Sequence, residues 1–339
     1  MFTSISLVKF QRSLINHGHL LISIAIGCLL LGFIGAYLPG IDHLPLIWAL
    51  RIELTGGSAY GPEMAALFEQ HYDTLCHECS GGGFAYPLPA MWLALPVVGL
   101  PDMLARAVWC VITVGSVALG LFLLRMRPVF LLFIPLWYGA IEMQVTVLLV
   151  GLTLIAIWSY RQKHWWLLGV LVALIGLSKP QTTGLFAAAF GLLMLRHYQW
   201  KPLLVSVVVL CITFVLEPLW LNQWLTNVSQ YRTNLQPRWL LMWLPIALIP
   251  AMGKRLWPTL AIVQLCLFPA VSHAYTLLPL LIGYSNLRKS WMAWCIVGSS
   301  WMMVFLQGSL PEWLLLGLCY FIPFGLVTIC NQRPLSKEH

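Results

Sequence analysis

The residues of this chain able to do chemistry are few and widely spaced: Asp42, Glu142, Gln144, Lys179, Gln181, Arg232, Arg238 and His273. A carboxylate that takes a proton and cations that hold a phosphate are what group transfer from a lipid phosphate requires. Asp42 is the candidate base, because it opens the one strongly polar stretch of the chain, residues 40–86. An Asp ahead of Leu44-Pro45-Leu46 is equally a helix-start signal, with proline near the first turn, and the two roles are compatible. Lys179, in Lys179-Pro180-Gln181 between two apolar runs, is the leading phosphate ligand; its plain alternative is a lysine snorkelling to a membrane interface. Arg232 and Arg238 share the phosphate role, since a guanidinium bonds phosphate bidentately, unless their loop is simply solvated. His273 is either a group that orients the phosphate and assists proton transfer or a structural histidine at a span end.

The elements that must position these residues are membrane helices. Hydrophobic residues make up 60% of the 339 and charged residues 9%, against roughly a quarter charged in soluble domains. That composition implies one all-α, polytopic integral membrane domain over residues 1–339. Leu20 to Pro39 has the length of a span and no A-x-A cleavage site after it, so it is expected to be retained. Most of the 17 Trp fall towards segment ends, where interfacial rings belong. The net charge of +8 does not point to nucleic acid, because the basic residues are scattered in ones and twos between apolar runs. They report orientation instead. Placing Lys9/Arg12, Arg125/Arg127, Arg161/Lys163, Arg196/Lys201, Lys254/Arg255, Arg288/Lys289 and Arg333/Lys337 in the cytoplasm puts both termini there and gives about twelve crossings.

On that topology residues 40–86 form an outer loop, holding six of the 11 acidic residues and, besides histidine, the single base Arg51. Leu88 to Val98 is expected to dip in from the outer face before a full span ending at Leu124. Pro128 to Tyr160 and Trp165 to Leu195 are expected to form two hairpins, with Glu142-Met143-Gln144 and Lys179-Pro180-Gln181 at their outer tips. The candidate residues then converge at one interface, which suits a substrate with its head at the membrane surface and its tail in lipid. A pump would more often hold its ionisable residues at mid-membrane. Glu217-Pro218 reads as a kink with an interfacial carboxyl, and Asp102/Arg106 as a helix-start pair one turn apart on the cytoplasmic side.

The run from Asp42 to Leu50, followed by Leu54-Thr55-Gly56-Gly57-Ser58-Ala59-Tyr60, resembles the first outer loop of the GT-C glycosyltransferases. The resemblance is nearest to the polyprenyl-phosphate-mannose-dependent mannosyltransferases, with an Asp after the first span, an amphipathic helix and a Gly-Gly-x-x-Tyr turn. Tyr86-Pro87-Leu88-Pro89 is similar to that branch's Tyr-Pro-Pro-Leu entry to the next apolar segment. Met143-Gln144 stands where a Gly-Gln pair is usual, Lys179-Pro180-Gln181 matches a Lys-Pro turn, and residues 269–273, ending in His273, match a Ser-Pro…His segment. The resemblance runs from Leu20 to about Tyr284. It implies an inverting hexosyltransferase that transfers a sugar from a polyprenyl-phosphate donor to a lipid-linked or surface glycan acceptor at the outer face of a membrane. It also implies that Asp42 and His273 are catalytic, and that Lys179, Gln144, Gln181, Glu142, Arg232, Arg238 and Tyr86 bind substrate. The bacterial inner membrane is the expected location. This chain departs from the branch in His43, in the Glu142-Met143-Gln144 turn and in an added Cys-x-x-Cys, so the sugar and acceptor stay open.

Cys76 and Cys79 are either a disulfide that stiffens the outer loop, a partial metal site with His77 and Glu78, or uninvolved thiols. No cofactor is required by the sequence, and a divalent metal is not indicated. No phosphate-binding or dinucleotide-binding glycine motif occurs. The competing functions are a transporter or flippase of a lipid-linked saccharide, for which an inverted repeat is the expected sign, and a non-catalytic subunit.

Overall fold

The computed structural model describes residues 18–72, 84–230, 238–268, 274–285, 287 and 289–331. Every regular element among them is helical. The α-helices are α1 (Gly18–Tyr37), α2 (Leu44–Leu54), α3 (Pro62–Tyr72), α4 (Asp102–Leu123), α5 (Ile134–Ile141), α6 (Val145–Arg161), α7 (Trp165–Ser178), α8 (Pro180–Arg196), α9 (Leu204–Leu216), α10 (Trp220–Gln230), α11 (Leu248–Met252), α12 (Leu256–Leu267), α13 (Leu280–Gly283), α14 (Ser290–Leu306), α15 (Glu312–Leu316) and α16 (Ile322–Cys330). Short 3-10 segments at Leu88–Ala94, Pro128–Leu132, Arg238–Ala247 and Ala274–Leu277 connect them.

Among the described residues, two helical stretches are long and apolar enough to cross a membrane, Asp102–Leu123 and the continuous run Glu312–Cys330. A third forms if Lys201–Leu216 and Trp220–Val228, bent by 89° at their break, are one span. Large apolar side chains stand exposed along the outside, among them Leu29, Phe33, Val215 and Phe305. Such a surface is stable in lipid and costly in water. Seven further apolar helices run 10–17 residues, at most roughly 25 Å at 1.5 Å per residue.

Helix α4 lies between α1 and α6. The crossings are close because small residues line them, a device common in membrane bundles. A Cβ on Gly151 of α6 would stand 2.1 Å from Ser116 Oγ of α4 and 2.7 Å from the Ser116 carbonyl carbon. One turn chemistry ends five helices. Arg125, Met143, Lys163, Tyr198 and Lys254 take positive φ after α4, α5, α6, α8 and α11. The next residue's N–H then reaches back, as in Met126 to Leu121 (2.8 Å), Gln144 to Gly139 (2.8 Å) and His164 to Ser159 (2.9 Å). These bonds satisfy carbonyls that the helix end would leave orphaned.

Both hairpin tips form where the polar residues are. The first arm of the first hairpin is shorter than expected: after the 3-10 segment, α5 has eight residues, about 12 Å of helix. Extended Phe133 (ψ 119°) separates the 3-10 segment from α5, and Pro135 sits in the first turn of the new helix, where its missing N–H is tolerated. In the second hairpin Lys179 (φ −150°, ψ 75°) separates α7 from α8, with Pro180 opening the new helix. Because α6 begins just after Gln144 and ends at Arg161, and α8 begins just after Lys179 and ends at Arg196, the polar tips and the basic clusters occupy opposite ends of these helices. Tyr160 and His197 meet at 3.4 Å at the basic end.

Two further expectations are corrected. Arg106 donates to the carbonyl of Leu38 at 2.9 Å, so Asp102 and Arg106 start α4 at the same end of the bundle as Asp42 and away from the basic clusters. Glu217 does mark a sharp bend, but its side chain is buried, 8% exposed, and accepts a hydrogen bond from Ser58, in the turn after α2. A carboxylate that finds a hydroxyl partner can be withdrawn from an interface.

Candidate active site

The first contact that builds the site is made by backbone. Gly40, two residues before Asp42, lies against the end of α5. A Cβ there would stand 2.2 Å from the carbonyl oxygen of Ile141 and 2.4 Å from the carbonyl carbon of Glu142. Only glycine permits that approach. Trp109 of α4 fixes the other side of the same turn, its indole N–H donating to the Met143 carbonyl at 2.9 Å. The turn therefore delivers Gln144, 5% exposed, directly to the Asp42 loop.

Gln144 joins the two charged residues. Its Nε2 donates to Asp42 Oδ2, and its Oε1 accepts from Lys179 Nζ at 3.2 Å. Lys179 also donates to Thr146 Oγ1 at 3.1 Å. Two aromatic rings flank the ammonium, with Nζ 5.7 Å from the centroid of Tyr86 and 5.8 Å from that of Tyr275, in the range of cation–π attraction. Lys179 is thus turned inward to a polar site, and does not reach along the helix surface as a snorkelling lysine would.

The break that presents Lys179 is itself paired. Gln264 of α12, 1% exposed, accepts from Leu185 N (2.8 Å) and donates to the Gln181 carbonyl (2.8 Å). Thr183 Oγ1 donates to Ile175 O at 2.6 Å across the same break. Backbone groups freed inside an apolar bundle must find such partners.

Burial pushes the Asp42 carboxyl up to about 6; the Gln144 hydrogen bond and the Lys179 charge hold it lower than burial alone would, and Glu142 pushes it up. Lys179 is lowered to about 8 by burial, against the opposing pull of Asp42. The adjacent His43 is fully buried with both ring nitrogens unpartnered and packs 6.0 Å from Trp109. Burial first, then the Arg106 charge, lower it to about 4. It is a neutral packing residue beside Asp42.

A second polar cluster secures the turn after α2. Ser58 bonds Glu217 at the bend after α9, and Glu53 Oε1 accepts from Ala59 N at 2.8 Å. Burial first, and then the neighbouring Glu217 carboxyl, raise Glu53 to about 7. Tyr60 donates to the Tyr86 carbonyl at 2.8 Å, so the turn at residues 55–60 fixes the ring that faces Lys179.

Of the residues expected from sequence, Asp42, Gln144, Lys179 and Tyr86 come together, with Glu142 beside them. Gln181 contributes its carbonyl to the Lys179 turn. The side chain of Arg238, and Arg232, His273, Cys76 and Cys79 altogether, lie outside the described residues. Thr146, Tyr275, Gly40, Ser58, Glu53 and Glu217 were not legible as parts of the site. Among the described residues no three His, Cys, Asp or Glu side chains gather as metal ligands. Comparison with protein-family models, with curated proteins and with solved structures returns no match.

Proposed function

We propose that this chain is an integral membrane glycosyltransferase of GT-C type, moving a hexosyl group, with mannosyl the leading case, from a polyprenyl-phosphate donor to a lipid-linked or glycan acceptor. The observation that carries the reading is Gln144 joining the Asp42 carboxylate to the Lys179 ammonium. A proton acceptor and a phosphate-holding cation are thereby set side by side in a site walled by aromatic rings. The order of sequence motifs that resembles the polyprenyl-phosphate-mannose-dependent enzymes supports the same reading.

The chemistry assigned to these residues is a single displacement. Asp42 takes the proton of the acceptor hydroxyl as its oxygen attacks the anomeric carbon, and the bond from that carbon to the phosphate oxygen breaks. The polyprenyl phosphate leaves with the electron pair, and Lys179 holds the growing negative charge. The product is inverted at the anomeric centre, and Asp42 then returns its proton to water. Thr146 and Gln144 keep Lys179 on the donor side. In this reading the Asp42 end faces outside, the basic end and both termini lie in the cytoplasm, and the chain crosses a bacterial inner membrane about twelve times.

A transporter of lipid-linked saccharides would leave the sugar–phosphate bond intact, and a non-catalytic subunit would do nothing alone. Incubating the purified protein in detergent with a radiolabelled polyprenyl-phosphate hexose and a lipid-linked glycan pool separates them. Label passing to the acceptor with release of polyprenyl phosphate supports the proposal; donor recovered unchanged refutes it.

A further inference from the structure

The polar cluster at the turn after α2 contains a buried acceptor that lacks a donor. Glu217, at the break between α9 and α10, is 8% exposed; its Oε1 accepts from Ser58, and its Oε2 is buried without a hydrogen-bond partner. Glu53 bonds the next residue of the same turn, its Oε1 accepting from Ala59 N at 2.8 Å. Two consecutive residues thus draw the carboxyls together, and the charge acting on Glu53 is the negative one of Glu217. Of two carboxyls withdrawn from water beside each other, one keeps its proton to a higher pH than an isolated carboxyl does. A proton on Glu53 Oε2 is the donor that Glu217 Oε2 lacks, and leaving such an acceptor unsatisfied is costly. The shift of Glu53 from its ordinary 4.5 to about 7, by burial first and then by Glu217, agrees with that geometry.

The pair sits at a joint. After Glu217 the chain turns by 89° from α9 into α10, and after Glu53 it enters the turn at residues 55–60. The segment that carries Tyr86 hangs from both sides of this joint. From the turn, Tyr60 donates to the Tyr86 carbonyl at 2.8 Å; from α10, Trp224 and Asn227 donate to the carbonyls of Ala85 (3.0 Å) and Phe84 (3.4 Å). The ring of Tyr86 faces Lys179, with Nζ 5.7 Å from its centroid. If the bend and the turn separate, the segment cannot keep both sets of bonds.

We propose that Glu53 and Glu217 share one proton, and that this proton latches the α9–α10 bend to the turn after α2 and so holds the Tyr86 ring beside Lys179, the joint loosening when the proton is lost. The latch does not depend on the transfer reaction proposed above. The other titratable groups around the pair are Tyr60, whose hydroxyl is pushed above its ordinary range by burial and then by Glu217 and Glu53, and Glu63 of α3, whose Oε2 would stand 2.8 Å from a Cβ on Gly57. Arg51 is engaged elsewhere, donating to the carbonyls of Val98 and Leu100. Neither α10 nor Leu88–Ala94 carries a titratable side chain, and α9 carries only the exposed Cys211. An open joint returns Glu53 to its ordinary value, so closure takes up a proton between 4.5 and about 7. Protection of the joint therefore falls as pH rises through that window and levels off above it.

Hydrogen exchange read by mass spectrometry tests this on the full-length protein in detergent with EDTA, each rate corrected for the pH dependence of a free amide. The peptides to follow contain the Ala59 and Tyr60 amides, bonded to Glu53 Oε1 and Ser58 Oγ, and the Ala90 amide, bonded to the Pro87 carbonyl next to Tyr86. In the wild type, protection should fall by up to about tenfold per pH unit from about pH 5 to 7, the slope for one proton, and level off by about pH 8. Glu53→Gln keeps an acceptor for Ala59 and gives Glu217 a permanent N–H donor, and Glu217→Gln removes the like charge; each should flatten the profile. A flat wild-type profile, or a slope that survives either substitution in a folded protein, would overturn the latch. A response at Ala59 and Tyr60 with none at Ala90 would overturn the hold on Tyr86. Calcium or magnesium ions that restore protection at pH 8 would make the pair a cation site and overturn the shared proton.

Discussion

Replacing Gly40 by Ala tests the backbone contact on which the site depends without touching a polar side chain. The added Cβ would stand 2.2 Å from the Ile141 carbonyl oxygen and 2.4 and 2.6 Å from the Glu142 carbonyl carbon and Cα. All three are main-chain atoms, so rotation of a side chain cannot relieve the overlap. Restoring ordinary contact requires the Asp42 loop and the α5–α6 turn to separate by roughly 1 Å, and overpacking of that kind costs about 1–3 kcal/mol of stability. The larger effect should be on rate. A displacement near 1 Å of a reacting group costs up to about 100-fold, which corresponds to about 2.7 kcal/mol in the barrier. The assay is kcat and KM for sugar transfer by purified Gly40→Ala, with its melting temperature measured in the same detergent. Gly115→Ala in α4 is the matched control, since a Cβ there meets nothing within 4 Å. Expected are a 10- to 100-fold fall in kcat for Gly40→Ala and none for Gly115→Ala. A Gly40→Ala protein that melts normally and turns over at the wild-type rate would refute the claim that this contact positions Asp42.

Other expectations follow from the same geometry. With Asp42 raised to about 6 and Lys179 lowered to about 8, kcat/KM should rise with pH as Asp42 loses its proton and fall as Lys179 loses its own, giving a bell whose two limbs belong to the coupled pair. Lys179→Arg should abolish the alkaline limb, because arginine stays charged, and a limb that persists near pH 8 would assign it to another group. Lys179→Ala should raise the donor KM and lower kcat, together by one to two orders of magnitude, for loss of a charged bond of about 1.5–3 kcal/mol; unchanged donor titration would move the phosphate to Arg232 or Arg238. In a background lacking Cys76 and Cys79, an impermeant thiol reagent on intact cells should label Glu69→Cys and leave Gln162→Cys unlabelled, and the reverse would invert the topology.

The turns at Glu142–Gln144 and Lys179–Gln181 were legible in the sequence because each sets polar residues between long apolar runs, where no packing role explains them. The helix α2 with the turn after it, and the bend at Glu217, were legible through Pro45, the Gly56-Gly57 pair and Pro218. What escaped were contacts with no local signature. Ser58 and Glu217 are 159 positions apart, and Thr146 and Tyr275 resemble ordinary helix residues until the fold brings them to Lys179. The shortness of α5 escaped because hydropathy does not distinguish a 3-10 turn from an α-helical one. Gln264 looked like an isolated polar residue in an apolar run, whereas it pairs the broken backbone beside Lys179.

The central claim is that Asp42 removes the acceptor's proton, and the direct measurement is the transfer rate of Asp42→Asn with donor and acceptor both saturating. Asparagine keeps the size of the side chain and a carbonyl oxygen towards Gln144 but cannot serve as the base. The rate should fall by two to four orders of magnitude, with donor binding within a few-fold of wild type and normal melting behaviour. A correctly folded Asp42→Asn protein that transfers sugar at a near-wild-type rate would contradict the role assigned to Asp42 and the mechanism built on it.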